Sequence, residues 1–185
     1  LFKSKIDEYD ELVTGNIIFQ NRMKDVGFLS KEDAISFGCT GPVARGSGVA
    51  IDLRETGYAA YGKINFRQAV ATEGDCYARC NVRIQELFSS IDIIEQVAKK
   101  IPDGPIDVKI TGAPNGEYFS RVEQPRGELV HYVKGNGKKN LVRSRVRTPT
   151  FTNIPPLVMM LKGCQLADVP VIVLSIDPCI SCTER

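Results

Sequence analysis

Two stretches of the chain carry apolar residues every three or four positions, the spacing that places them on one face of an α-helix. The first runs from Ile6 to about Lys24, with Gly15 as a weak point inside it. The second begins near Asp75 and ends at Pro102, a residue that cannot continue a helix. At ~1.5 Å per residue the second helix would extend about 40 Å, so we expect it to be the central helix of the domain.

Shorter helices are predicted on other grounds. Ser30-Lys31-Glu32-Asp33 resembles a capping box, which indicates a helix that ends near Gly38. The Pro155-Pro156 pair can start a helix through Leu161, because proline is tolerated in a first helical turn. The run from Val169 to Ile176 fits either a strand or a helix on its pattern alone.

Between the helical stretches, three segments alternate polar with β-branched and aromatic residues, which is typical of strands. They are Tyr118 to Val122, Glu128 to Val133 and Leu141 to Arg147. Gly135-Asn136-Gly137 is expected to form the tight turn between the last two. The sequence therefore predicts an α+β fold, mainly helical, with a long central helix, a small antiparallel sheet and a single domain over residues 1–185.

Composition narrows the function classes. The 185 residues include 24 basic and 22 acidic side chains, so bulk charge gives no reason to expect nucleic acid as a partner. The longest apolar run, Val169 to Leu174, is far shorter than the ~20 residues of a membrane-spanning helix. Six cysteines without a recognisable signal peptide indicate a reducing compartment, and we expect the cytoplasm.

The chemistry suggested most directly is at the C-terminal end, where Cys179 and Cys182 follow Asp177 and Pro178. Two thiolates at this spacing can both bind one soft metal ion, and Pro178 restricts the approach to the first of them. A thioredoxin-like redox pair is the alternative, but it needs a helix that begins at the first cysteine. Since only three residues follow Cys182, we expect no such helix and favour a metal site.

Four groups of residues together resemble the large, metal-bearing subunit of nickel-iron hydrogenases. The resemblance covers most of the chain from about Gly41 onward. Its motifs are Gly41-Pro42-Val43-Ala44-Arg45-Gly46-Ser47-Gly48 with Asp52-Leu53-Arg54, Gly74-Asp75-Cys76-Tyr77 with Val82-Arg83, Glu123-Gln124-Pro125-Arg126-Gly127, and Asp177-Pro178-Cys-x-x-Cys. The matches are similar to the membrane-linked, energy-converting branch, of Ech and formate hydrogenlyase type. That branch is related to the quinone-site subunit of respiratory complex I, which lacks the two cysteines.

The resemblance implies a nickel-iron centre whose iron carries cyanide and carbon monoxide. In the family four thiolates hold the metals, two of them from an N-terminal Cys-x-x-Cys that is not in this sequence. By resemblance, Cys179 is the terminal nickel ligand and first proton acceptor, and Cys182 bridges the metals. We expect this segment alone to be metal-free and inactive, because it supplies only half of the ligand set.

The resemblance also assigns residues around the metals. Arg126 would hold a guanidinium over them, and Asp177 would fix that guanidinium in place. Pro125, Pro149 and Thr150 would line the pocket, with the Thr150 hydroxyl able to donate to a cyanide. At the chain end, Arg185 stands where the better-known hydrogenases have a histidine, so their additional metal site is not expected here, and the position matches the C-terminus left by a maturation protease.

The partners implied are an iron-sulfur small subunit, integral-membrane ion-translocating subunits and the N-terminal half of the same large subunit. The expected location is the cytoplasm, peripheral on the inner face of the cytoplasmic membrane. The absence of an initiating Met, combined with the resemblance, indicates a segment of a longer protein.

Two other functions remain open from the sequence. One is a nickel-free quinone-site subunit of complex I type. The other is a small structural zinc module that uses Cys179 and Cys182 with Cys76 and Cys80, although the latter pair lies on the apolar stripe of the central helix and is expected to pack in the core. We expect structural roles for Cys39, Cys164 and His131. The strand arginines Arg143, Arg145 and Arg147 are expected to form a solvated face.

Overall fold

The computed structural model describes residues 2–184, and it is an α+β protein with a small sheet, as the sequence predicts. Eight α-helices and three short 3₁₀ turns lie within these residues. The helices are α1 (Phe2–Val13), α2 (Ile17–Met23), α3 (Lys31–Ser36), α4 (Gly41–Arg45), α5 (Cys76–Lys100), α6 (Pro149–Met160), α7 (Val169–Ser175) and α8 (Ile180–Thr183). The strands are β1 (Asn115–Gln124), β2 (Gly127–Asn136) and β3 (Arg143–Arg147). The expectations for Arg185 lie outside the described residues.

The long helix α5 is confirmed, and its start is fixed by Asp75. The Asp75 carboxylate accepts hydrogen bonds from the backbone N–H of Ala78 at 2.7 Å and of Asp25 at 2.9 Å, so it caps the helix and ties it to the preceding segment. The 25 residues extend about 37 Å. Buried residues occur only in the first two turns, however, and Ile94 is 65% exposed. The helix is therefore central at its N-terminal end alone.

The single N-terminal helix that we predicted is wrong, because the chain breaks it into α1 and α2. Asn16 has an extended backbone, and its side chain accepts from the backbone N–H groups of Ile18 and Phe19, which starts a new helix. The Thr14 side chain turns back onto the carbonyl oxygen of Asp10 at 2.7 Å. Gly15 marks the break, as its weak helix propensity suggested.

The sheet is antiparallel in the order β1-β2-β3, and one predicted turn is wrong. Gly135 and Asn136 belong to β2, where they pair with Gly116 and Asn115, so the connection to β3 is a longer loop. A side chain at position 135 would meet the carbonyl oxygen of Pro114 at 2.2 Å. The glycine at 135 therefore permits two backbones to approach closely, whereas the sequence pattern suggested a turn.

Two strand expectations are corrected or refined in the sheet. His131 is exposed on β2 and does not pack in the core. Arg143 and Arg145 are exposed as expected, but Arg147 is half-buried and forms an ion pair with Glu128.

The two C-terminal helices show how capping outweighs a local pattern. We predicted that Pro155 and Pro156 start a helix, but α6 begins six residues earlier at Pro149, with Thr148 as its N-cap. The prolines lie inside the helix, where each removes one backbone donor. For α7 the helical alternative is confirmed.

The core lies where α3, α4, α6, α7 and the start of α5 meet. Its buried apolar members include Leu29, Val43, Cys76, Leu157 and Ile172. Cys39 belongs to this cluster and Cys164 packs against it, in agreement with structural roles for both. Within residues 2–184, no helix combines the length and the apolar character that crossing a bilayer requires.

Candidate functional site

The site is built around the C-terminal tail, which leaves α7 through a sharp backbone turn. Asp177 adopts a left-handed φ of 54°, and Pro178 then leads the chain to Cys179. The expectation that no helix follows Cys179 is wrong: it is the N-cap of the one-turn helix α8. The backbone N–H groups of Cys182 and Thr183 both donate to the Cys179 carbonyl oxygen at 3.1 Å. A tight turn of this kind needs few residues, which the length argument overlooked.

Both cysteine side chains are half-buried, and the surroundings of Cys179 favour the thiolate form. The Cys179 sulfur lies 3.2 Å from the Ser181 hydroxyl oxygen. The Ser181 hydroxyl, then the Cys182 amide and thiol, and finally the positive charge of Arg126 lower the pKa of Cys179 to about 7, although desolvation opposes them. A thiolate is the form that binds metals, so the turn prepares a ligand.

Arg126 reaches the tail from the two-residue turn between β1 and β2. Its Nε donates to the Asp177 carbonyl oxygen at 2.9 Å and lies 3.1 Å from the carboxylate Oδ2. Its Nη2 donates to Oδ1 at 3.3 Å. Asp177 thus holds the guanidinium beside the cysteine turn with both its backbone and its side chain.

The turn that carries Arg126 is pressed against the start of α4. A side chain at Gly41, where φ is +64°, would lie 2.3 Å from the Arg126 carbonyl oxygen. A side chain at Gly127 would lie 2.7 Å from the backbone nitrogen of Gly41 and from the hydroxyl of Thr40. Glycine at both positions is required for this contact, which fixes the base of the arginine.

The start of α6 forms the other wall. Thr150, which is buried, accepts a hydrogen bond from the backbone N–H of Cys179 at 3.3 Å, and the Thr148 hydroxyl donates to the Cys182 carbonyl oxygen. Pro149 is buried between them. Because the Thr150 oxygen is the acceptor, its own hydrogen remains able to donate to a ligand.

Among residues 2–184, no three side chains of His, Cys, Asp or Glu come together in a way that could hold a metal ion. Cys76 is buried in the core, whereas Cys80 is half-buried and faces two cavities. The four-cysteine zinc alternative therefore lacks its ligand set. Cys179 and Cys182 fit a metal centre as two of several thiolate ligands, since they share one turn and remain partly accessible.

A buried charge network beside the site was missed by the sequence reasoning. Arg45 lies 2.9 Å from Glu123 through Nη1 and 2.7 Å from Glu86 through Nη2. Arg54 contacts Asp52 through Nε and Nη2 at 2.5 to 3.1 Å. Part of the signal lies in the sequence, because four of the five residues fall in motifs that carry the resemblance, but nothing local in those motifs indicates that their charges meet.

Burial acts differently on the three carboxylates of the network. For Glu86 and Glu123 desolvation is the largest effect, and the pKa of each is raised despite the attraction of Arg45. Desolvation also opposes ionisation of Asp52, but hydrogen bonds from Arg54 outweigh it and the pKa of Asp52 lies below its ordinary value. Asp52 is thus firmly ionised, whereas Glu86 and Glu123 hold protons more readily.

Two further arginines, Arg79 and Arg83, were also missed. Arg79 is fully buried and donates to the carbonyl oxygens of Gly74 and Gly27 and to the Ser175 hydroxyl, so it joins α5 to α7. Arg83 donates to the Arg79 carbonyl oxygen at 3.1 Å and lines the same cavity as Asp177. Both residues interrupt the apolar stripe of α5, which was the only sequence sign of them.

The sequence aligns with one family along its length. It matches the respiratory-chain NADH dehydrogenase 49 Kd subunit over residues 1–113 and 108–185. The chain belongs to this family. As a 49 Kd subunit family member it resembles the complex I relatives and the hydrogenases that we expected from its motifs.

Curated relatives of this 49 Kd family member carry names of both types. The carbon monoxide-induced hydrogenase of Rhodospirillum rubrum is 42% identical over 181 residues, covering 97% of this chain and 50% of the relative. The C/D subunit of the NADH-quinone oxidoreductase of Phocaeicola vulgatus is 41% identical over 184 residues, covering 97% and 36%. A corresponding NADH-quinone oxidoreductase subunit of Solibacter usitatus is 40% identical over 181 residues, covering 96% and 49%. The chain spans half or less of the length of these relatives.

Proposed function

We propose that the protein is the C-terminal part of the large subunit of an energy-converting nickel-iron hydrogenase, which interconverts hydrogen with protons and electrons. The observation that carries the proposal is the cysteine turn, in which Cys179 and Cys182 lie beside Arg126 and Thr150. The relative named as a carbon monoxide-induced hydrogenase supports it. The remaining two thiolates would come from the N-terminal half of the same subunit.

When bound, the nickel-iron centre would supply the redox-active metals and the anionic ligands of the iron. Cys179 and Cys182 would hold it from this side, and the sulfur of Cys179 would take the proton when hydrogen is oxidised. The guanidinium of Arg126 would act as a fixed cation with several donors for an anionic ligand. Removing a proton from it at neutral pH costs roughly 8 kcal/mol for a pKa near 13, so we assign it no role as a base.

The remaining side chains would shape this centre. Asp177 would hold Arg126 in register, since it contacts the guanidinium through its carbonyl oxygen and its carboxylate. Thr150 would fix the cysteine turn and offer its hydrogen to a cyanide, while Pro125 and Pro149 would restrict access by water.

Electrons would leave through an iron-sulfur small subunit. The assembly would sit on integral-membrane, ion-translocating subunits at the cytoplasmic face of the membrane. The quinone oxidoreductase relatives support a second candidate, a nickel-free quinone-site subunit of complex I type. The two candidates differ in whether Cys179 and Cys182 bind metal.

The test is metal analysis and hydrogen uptake of the full-length protein with its partner subunits. The hydrogenase predicts bound nickel and iron, and the Cys182→Ser variant should lose hydrogen-dependent dye reduction completely because the bridging thiolate is gone. Cys164→Ala is the matched control, since Cys164 is a half-buried cysteine packed against the core, and it should retain activity. Nickel-free protein with quinone-dependent activity would refute the proposal in favour of the second candidate.

A further inference from the structure

A cavity of about 500 Å³ connects the candidate site to the buried charge network. Asp177 and Pro125 line it from the site, and Glu86 and Glu123 line it from the network. The cavity also has Cys80, Ile84 and Leu87 along its wall, which gives it a largely apolar surface. A space of this size can hold several water molecules, so a proton could cross it along hydrogen bonds.

The two glutamates share one cation. Arg45 is 1% exposed, and its two terminal nitrogens contact one carboxylate each, Glu86 at 2.7 Å and Glu123 at 2.9 Å. Asp52 also approaches Arg45, at 3.7 Å, but its closer partner is Arg54. One guanidinium therefore faces two carboxylates whose side chains are only 14% and 5% exposed.

The other charged groups of the cavity do not give the glutamates a second direct partner. Arg54 is engaged with Asp52, and Asp177 is engaged with Arg126. Arg83, one helical turn before Glu86, donates to a backbone carbonyl oxygen. Two buried carboxylates on one guanidinium are a pair that gains by binding one proton, because like charges in a dry environment disfavour full ionisation.

We propose that Glu86 and Glu123 share one proton around Arg45 and form a proton-relay station between the Asp177 end of the cavity and the solvent. This inference rests on the hydrogenase function proposed above. During hydrogen oxidation the S–H bond of Cys179 breaks, an O–H bond forms on one glutamate, and the proton held by the pair is then released to solvent. Only protons move along this path, and the two electrons leave separately to the iron-sulfur partner.

The first test does not depend on turnover. Full-length protein with its partner subunits is prepared with carbon-13-labelled glutamate, and its infrared spectrum at pH 7 is searched for the carbonyl stretch of a buried, protonated carboxylic acid. We expect one such band in the wild-type protein. Both Glu86→Gln and Glu123→Gln should abolish it, since the remaining carboxylate then pairs singly with Arg45. A wild-type protein without the band has both glutamates ionised, which overturns the proposal.

The second test follows proton escape by exchange of D₂ gas with H₂O solvent. Glu86→Gln and Glu123→Gln should lower the rate of HD and H₂ formation by about tenfold or more, the lower range for loss of a positioned acid–base group. Glu117→Gln is the matched control, because Glu117 is an exposed glutamate of the same sheet in an ion pair with Lys134, and it should exchange at the wild-type rate. Thermal unfolding of each variant shows whether the fold is kept.

The outcomes separate the two proposals. If the wild-type protein exchanges no isotope, the hydrogenase function fails. If it exchanges and folded Gln variants do so at the same rate, the relay is overturned while the hydrogenase function stands. The infrared band of the wild-type protein decides the matter should a variant fail to fold.

Discussion

The glycine-arginine segment at residues 41–54 and the cysteine turn at residues 177–182 are built in opposite ways. Residues 41–47 are all buried, and Arg45 has its ion pairs inside the protein. In the cysteine turn the thiols are half-buried, and Ile180 between them is 81% exposed. The comparison teaches that charge is used for architecture in the first region and that reactive groups are presented to a ligand in the second.

Removing the central cation should have the largest effect on stability. Arg45→Met leaves Glu86 and Glu123 buried without their partner, and we expect a loss of about 3–5 kcal/mol in the free energy of unfolding at pH 7, measured by urea unfolding. The loss should shrink below the ordinary glutamate pKa of 4.5, because both carboxyls then carry protons in the folded and unfolded chain.

Lys134→Met is the control for that variant. It removes the cation of an exposed pair with Glu117, so the unfolding midpoint should not change. Equal effects of the two substitutions would contradict the view that the buried segment is held by its charges.

A smaller effect is expected from the contact that joins the two regions. Gly41→Ala places a methyl group 2.3 Å from the Arg126 carbonyl oxygen at a left-handed backbone position, and we expect a loss of about 3 kcal/mol. Gly38→Ala has almost the same φ, +65°, and nothing within 4 Å, so it should cost only about 1 kcal/mol. Urea unfolding measures both, and a difference near zero would show that the close approach is not required.

The smallest effect concerns the reactivity of the exposed region. In the metal-free chain the alkylation rate of Cys179 by iodoacetamide should rise with pH and reach half of its maximum near pH 7, because the thiolate is the reacting form. Cys80, whose pKa is raised by burial, should react only at higher pH. Peptide mass analysis distinguishes the two sites.

Ser181→Ala tests the physical cause. It removes the hydroxyl that contributes most to the lowered pKa of Cys179, so the midpoint should move to higher pH and the rate at pH 7 should fall severalfold. An unchanged midpoint would mean that the turn itself, rather than this hydroxyl, stabilises the thiolate.

Sequence reasoning succeeded where a signal was local. Asp75 and Ser30 were recognised as helix starts, and both side chains cap their helices through backbone N–H groups. It failed where two local signals competed. Thr148 starts α6 ahead of the Pro155-Pro156 pair, and Asn16 starts α2 in the middle of a continuous apolar pattern. A capping side chain satisfies orphan backbone donors, and this energy outweighs periodicity in short helices.

The candidate site shows the same division. The roles of Cys179, Arg126 and Thr150 were assigned from motifs and stay predictions, but the structure brings the three residues from the tail, a β-turn and a helix start to one place. The Arg45 network could not be read from the sequence, because Glu86 and Glu123 are 37 positions apart and nothing local indicates that one guanidinium binds both.

The sequence by itself determined the chemical inventory, the long helix, the small sheet and the thiol pair, since each depends on neighbouring residues and on backbone preferences. Only the tertiary structure decided which charges are buried together, how closely Gly41 and Gly127 bring two backbones, and that Asp177 faces Arg126. The physical reason is that desolvation and contact distance depend on residues far apart in the chain, whereas capping and periodicity act within a few positions.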